Sequence, residues 1–104
     1  MALTRDFKVT VKARADRDPE FRRALLGEAI ECLLNGEVEV GQAMLRDYIN
    51  ATVGFEELGR EVDVNPKSLH RMLGPRGNPQ AKMLFPVIAH LKRRERIKLQ
   101  AVAA

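Results

Sequence analysis

The sequence predicts an all-α domain of five helices, with a short β-strand at either end of the chain. Three observations carry that prediction. Apolar residues recur at three- and four-residue spacing through most of the chain. Two Asx-Pro pairs, Asp18-Pro19 and Asn65-Pro66, open helices. Asn35-Gly36 and Gly54 stop them. A length of 104 residues fits one domain, taken as 1–104. The 45% hydrophobic content lies well above the disordered regime, yet the longest apolar runs, three to four residues, are far too short to cross a bilayer. Met1 to Val11 lacks the apolar block of a secretory signal, so the cytoplasm is the expected compartment.

Phe7-Lys-Val-Thr-Val11 alternates apolar and polar residues and is rich in β-branched side chains, the period of a half-buried strand. Ile97-Lys-Leu-Gln-Ala-Val102 reads the same way. Two lone strands need partners, so they are expected to pair with each other or across a dimer. Residues 1–17 then form an N-terminal arm.

The first helix is expected from Asp18 to Leu34. Asp18 caps the free N–H groups, Pro19 fits the first turn, and Glu20 suits the positive end of the helix dipole. Phe21, Leu25, Leu26, Ala29, Ile30, Cys32 and Leu33 make one broad apolar face, and Cys32 on that face reads as a packed thiol. The second helix runs from about Glu37 to Ala51, with Val38, Gly41, Leu45, Tyr48 and Ile49 or Thr52 inward. Gly41 costs helix propensity, which suggests either a close approach of another backbone or a later helix start. Three short helices follow, Phe55 to Glu61, Asn65 to Leu73, and Gln80 to about Arg93.

Residues 55–73 have the pattern of a helix-turn-helix. Leu58, Val64, Leu69 and Met72 or Leu73 supply the apolar anchors. Gly59 supplies the small residue where the helices touch, and Asp63 stands where the turn needs left-handed backbone. Asn65 is placed to accept the N–H of Ser68, with Pro66 in the first helical position. The outward face of the second helix is Asn65, Lys67, Ser68, His70 and Arg71, hydrogen-bonding or cationic groups of the kind that read base edges in a major groove. Arg76 and Lys82, flanking the following loop, are candidate phosphate contacts. The run Lys92-Arg93-Arg94-Glu95-Arg96 suits either phosphates or the negative end of a helix dipole.

Charge is divided in the same sense. Residues 1–59 carry eight basic and eleven acidic side chains, net −3, whereas residues 60–104 carry ten and three, net +7. A basic half of this kind attracts a polyanion.

From about Asp18 to Val102 the chain resembles the addiction-module antidote (antitoxin) family of lambda-repressor-like helix-turn-helix regulators. The resemblance rests on Asp18-Pro-Glu20, on Ser68-Leu-His-Arg-Met-Leu73 within the 55–73 unit, on the Gly74-Pro-Arg-Gly-Asn-Pro79 loop, and on Leu84 to Leu99 with Val87-Ile88 and Ile97-Lys-Leu99. It implies a five-helix lambda-repressor-like fold, an operator-binding second helix, a homodimer on double-stranded DNA, and capture of a cognate toxin. Asp63 stands where the family usually has Gly, and the arm through Arg17 has no counterpart, so no toxin-binding residues carry over.

No catalytic arrangement stands out, and neither enzyme activity nor a cofactor is expected. There is no Gly-rich phosphate loop, and Ser68 and His70 point to different helix faces. The two histidines, 20 residues apart and without Cys or paired carboxylates nearby, make a poor metal site. The alternative to DNA is a protein-interaction module that covers a toxin with the acidic segment 18–53. Single-stranded RNA is disfavoured because the four Phe and one Tyr form no stacking platform.

Overall fold

The computed structural model describes the backbone of residues 5–104 and the side chains of residues 7–104. Six helices follow one another: α1 (Arg5–Arg17), α2 (Pro19–Leu34), α3 (Val38–Ala51), α4 (Phe55–Val62), α5 (Pro66–Met72) and α6 (Ala81–Glu95), with no strand among the described residues. The all-α class holds, and the count rises by one.

The additional helix replaces the expected strand at 7–11 and, over residues 5–17, the expected arm, whose first four residues lie outside the described ones. Val11 and Ala15, one turn apart, face α3 and α2, and Ala15 is fully buried. Burial on a helical stripe outweighs the few tenths of a kcal/mol that each β-branched residue costs a helix. Arg14 stacks on the Phe21 ring at 4.4 Å and lies 3.6 Å from Asp18, fixing the α1–α2 corner. With 7–11 helical, 97–102 has no strand partner among the described residues and is not a strand. Instead the Ile97 N–H donates to the Lys92 carbonyl at 3.1 Å, Arg96 turns left-handed (φ 57°), and half-buried Ile97 folds back on the core.

Asp18 caps α2 as expected, accepting the Phe21 N–H at 3.1 Å. Gly36 (φ +85°) ends it, and the Glu37 N–H donates to the Cys32 carbonyl. Cys32 is half-buried with Sγ 3.8 Å from the Met44 sulfur, and burial together with Glu37 pushes its thiol above the ordinary value. α2 and α3 pack as a close pair. A Cβ on Gly41 would stand 2.6 Å from Leu33 Cγ and 3.0 Å from its backbone N, the close approach that Gly41 implied. The inner face of α3 begins at Gly41 and Gln42 and continues through Leu45, Tyr48 and Ile49. Val38, expected inside, is 49% exposed because the first turn of α3 overhangs the end of α2.

One buried carboxylate joins four helices. Glu95, 5% exposed at the end of α6, accepts from Arg22 Nε at 3.3 Å and from the Tyr48 hydroxyl. Arg22 also donates to the Ala15 carbonyl of α1 at 2.6 Å, and Arg23 Nε donates to the Glu95 carbonyl at 2.9 Å. A buried carboxylate is tolerable only when paired and hydrogen-bonded, and here both oxygens are satisfied. Glu95 occupies the core stripe of α6, one turn beyond Leu91 and two beyond Ile88, so its burial follows helical period.

Burial, then the Glu95 contacts, raises the Tyr48 phenol above its ordinary value. The unfolded phenol ionises near its ordinary value of 10.0 while the folded one keeps its proton, so stability is fully present below that pH and is lost as pH rises above it. Tyr48→Phe should lower stability at neutral pH by about 1–3 kcal/mol, since it orphans a carboxylate oxygen. It should also flatten the alkaline loss, both read by urea unfolding across pH. As the chain has one tyrosine, phenolate absorbance reports the group directly.

Candidate nucleic-acid interface

The α4–α5 unit has the tight geometry that its sequence requires. Asp63 adopts the left-handed region (φ 56°, ψ 48°), and the Val64 N–H donates to the Gly59 carbonyl at 2.9 Å. A Cβ on Gly59 would lie 2.6 Å from the Val64 carbonyl oxygen and 2.8 Å from Pro66 Cγ, so only glycine lets the second helix cross here. Leu58, Leu69 and Leu73 are fully buried, whereas Val64 and Met72 are half-buried against the same core.

α5 is short and opens at Asn65. The Asn65 carboxamide oxygen accepts the Lys67 N–H at 2.8 Å, not that of Ser68, closing an Asx turn rather than reaching one residue further. Asn65, Lys67, Ser68, His70 and Arg71 are all exposed, with Leu69 between them anchored at 0% exposure. The His70 ring leans edge-on against Phe55 of α4 at 5.0 Å between centroids, which fixes its orientation and leaves its other edge outward. Arg76 lies exposed in the turn after α5, and Lys82 lies exposed in the first turn of α6. Lys67, Arg71, Arg76 and Lys82 enter none of the ion pairs among the described residues.

Residues that the sequence did not single out hold this face in place. Arg46 of α3 donates to the Leu73 carbonyl at 2.8 Å, capping the end of α5 from the scaffold. Gly77 crosses over the end of α5 so closely that a Cβ there would overlap the Met72 carbonyl oxygen. Glu61 of α4 is held by His90 Nε2 at 2.6 Å and Arg94 Nη1 at 3.2 Å, both from α6. No local pattern marks Arg46, whose role appears only when α3 is laid against α5. Glu57 and Arg60 pair at 2.5 Å on the exposed side of α4, and this contact holds the Glu57 carboxyl below its ordinary range.

The run Lys92–Arg96 is divided in its duties. Glu95 is structural, Arg94 serves Glu61, and Arg96 forms the left-handed stop of α6. Among the described residues no three His, Cys, Asp or Glu side chains gather as metal ligands, and no helix is long and apolar enough to cross a membrane.

No family model matches the chain, and no curated protein or solved structure matches it.

Relieving the strained turn should stabilise the unit. Asp63→Gly is expected to raise unfolding free energy by up to about 1 kcal/mol. Gly59→Ala should lower it by about 1–3 kcal/mol despite the better helix propensity of Ala, because the added methyl meets a backbone carbonyl. Thermal or urea melts of the two variants check both signs.

Proposed function

We propose that this protein is a sequence-specific regulator of transcription that binds double-stranded DNA as a homodimer through α5. The observation that carries this reading is the second helix of a tight helix-turn-helix, anchored by Leu69 and Leu73 and turning five hydrogen-bonding or cationic side chains outward. Lys67, Ser68, His70 and Arg71 are assigned to base edges, Arg71 and Lys67 being suited to guanine O6 and N7. Asn65 spends its oxygen on the cap and keeps its amide for a base or a phosphate. Arg76 and Lys82 are assigned to phosphates: α6 opens without an acidic residue or a side-chain cap, which leaves its first N–H groups to an anion. α4 instead opens with Glu56 and Glu57, so its N-terminus repels phosphate and the backbone contacts fall to α5, the loop and α6.

The antitoxin resemblance extends this reading to a protein that represses its own operon and neutralises a cognate toxin in the cytoplasm, without enzyme activity. The competing reading, a module that captures a toxin and leaves DNA alone, draws on the acidic segment 18–53. The two differ in salt dependence: affinity for DNA falls steeply with ionic strength, while binding through an apolar protein surface changes little.

Fluorescence anisotropy against a duplex from immediately upstream of the protein's own gene, beside a scrambled duplex, tests the proposal. A preference of about a thousandfold or more for the upstream duplex is expected, on half-sites about 34–36 Å apart. Arg71→Ala should cost about 1–3 kcal/mol on the specific duplex and relax sequence preference, whereas Arg76→Ala should weaken all duplexes alike and reduce the salt slope. Equal, weak binding to both duplexes would transfer the argument to the toxin-capture module.

A further inference from the structure

An apolar groove of about 490 Å³ runs between the α2–α3 corner and the loop that leads into α6. Its floor is Ile30, Leu33, Leu84 and Ile88, and its rims carry Leu34, Val38 and Phe85, all exposed. Among the described residues that line it, Glu39 alone is charged. Gln42 of α3 lines the wall at 6% exposed, and its Nε2 is buried without an acceptor in the chain. Nearly every buried donor in a folded protein has a partner, so this one is an unmet demand at the wall of the groove. The last torsion of the side chain is soft, and the carboxamide can turn its N–H toward the groove.

We propose that the groove is a binding site for an uncharged small molecule with an apolar body and a carbonyl oxygen that accepts from Gln42. Three observations select that class. The volume lies within the range of about 300–1,000 Å³ typical of small-molecule sites, and an apolar lining with a few placed polar groups is their usual composition. Gln42 asks for an acceptor, and the acceptor must reach a side chain set deep in the wall. The backbone carbonyls of a docked helix are spent inside that helix, whereas the carbonyl of a small ketone, ester or amide is free to enter. Charge settles the rest. A carboxylate or sulfonate could also accept from Gln42, but among the described residues no cation lines the groove to balance it, and Glu39 opposes it. None of the side chains assigned to DNA lines the groove, so occupancy requires no DNA contact.

Titration of the full chain into each of three fluorescent dyes at trace concentration tests the site, with circular dichroism to confirm that every variant folds. Prodan, a propionyl dimethylaminonaphthalene, is uncharged and carries a ketone. Phenylnaphthylamine is uncharged and has no carbonyl, and anilinonaphthalene sulfonate is the same ring system with a negative charge. Prodan should bind saturably with blue-shifted emission and the highest affinity of the three, and the sulfonate should bind most weakly. Phe85→Glu and, separately, Leu34→Glu, both at exposed positions, should weaken Prodan at least about tenfold. Gln42→Met keeps the length of the side chain and removes the donor. It should weaken Prodan about three- to tenfold, the equivalent of one net hydrogen bond, and leave phenylnaphthylamine unchanged. A role in packing alone would move both uncharged dyes together. Failure of Prodan to bind, binding that ignores both rim substitutions, or an unaltered preference for Prodan in Gln42→Met would overturn the proposal. Equal binding of all three dyes would overturn it as well, and would mark the groove as an apolar face that another protein covers.

Discussion

The buried carboxylate of Glu95 is the constraint on which the arrangement of helices depends. A carboxylate removed from water must be repaid by donors, and those donors come from elements distant in sequence: Arg22 of α2 and the Tyr48 hydroxyl of α3. Arg22 simultaneously satisfies the last buried turn of α1, and Arg23 takes the Glu95 backbone carbonyl. The result is a scaffold of α1, α2, α3 and α6 whose mutual placement is specified by direction as well as by apolar contact. Hydrophobic burial alone would tolerate sliding of these helices; a hydrogen-bonded charge does not.

That scaffold is what gives α5 a fixed position. A helix of seven residues has too few internal hydrogen bonds to be stable alone, so its order is borrowed. α3 holds its end through Arg46, Leu69 and Leu73 are sunk in the common core, and the Pro66 ring is wedged against Gly59 at its start. α4 is tied to α6 by Glu61, His90 and Arg94. Each restraint acts on the buried side or the ends of the pair, and the outward face of α5 is left to side chains that enter no ion pair among the described residues. A face of this kind has few ion pairs to break on meeting a polyanion, which suits the proposed DNA-binding role.

Charge follows the same division. Eleven of the fourteen acidic residues precede residue 60, while cations outside the ion pairs of the described residues accumulate from α5 onward. The C-terminal basic run illustrates how side chains adjacent in sequence divide their roles: of its five residues, one is a buried carboxylate and one is committed to Glu61, while Arg96 shapes the helix end with its backbone and keeps an exposed side chain. From α5 onward, the cations outside ion pairs among the described residues fall in two groups, one on α5, its following loop and the start of α6, the other at the end of α6 and beyond.

The sequence by itself determined α2 to α6, with boundaries displaced by a residue or two, because capping, left-handed stops and apolar period are local and were unambiguous there. It also determined the tight turn between α4 and α5, since Gly59, Asp63 and the Asn65-Pro66 start each answer a steric demand within a few residues of themselves. What it misassigned were the two ends. At 7–11 the β-branched alternation is a true local signal, but Ala15 buried against neighbouring helices supplies more free energy than strand propensity could. At 97–102 the same alternation had no edge to pair with once α1 was helical. Only the tertiary structure decided that Glu95 is a hub rather than part of a solvated basic run, that Arg46 holds the end of α5, and that an apolar groove opens beside Phe85. Each of these depends on side chains from separate helices meeting in space, and no local period records which helix will lie opposite.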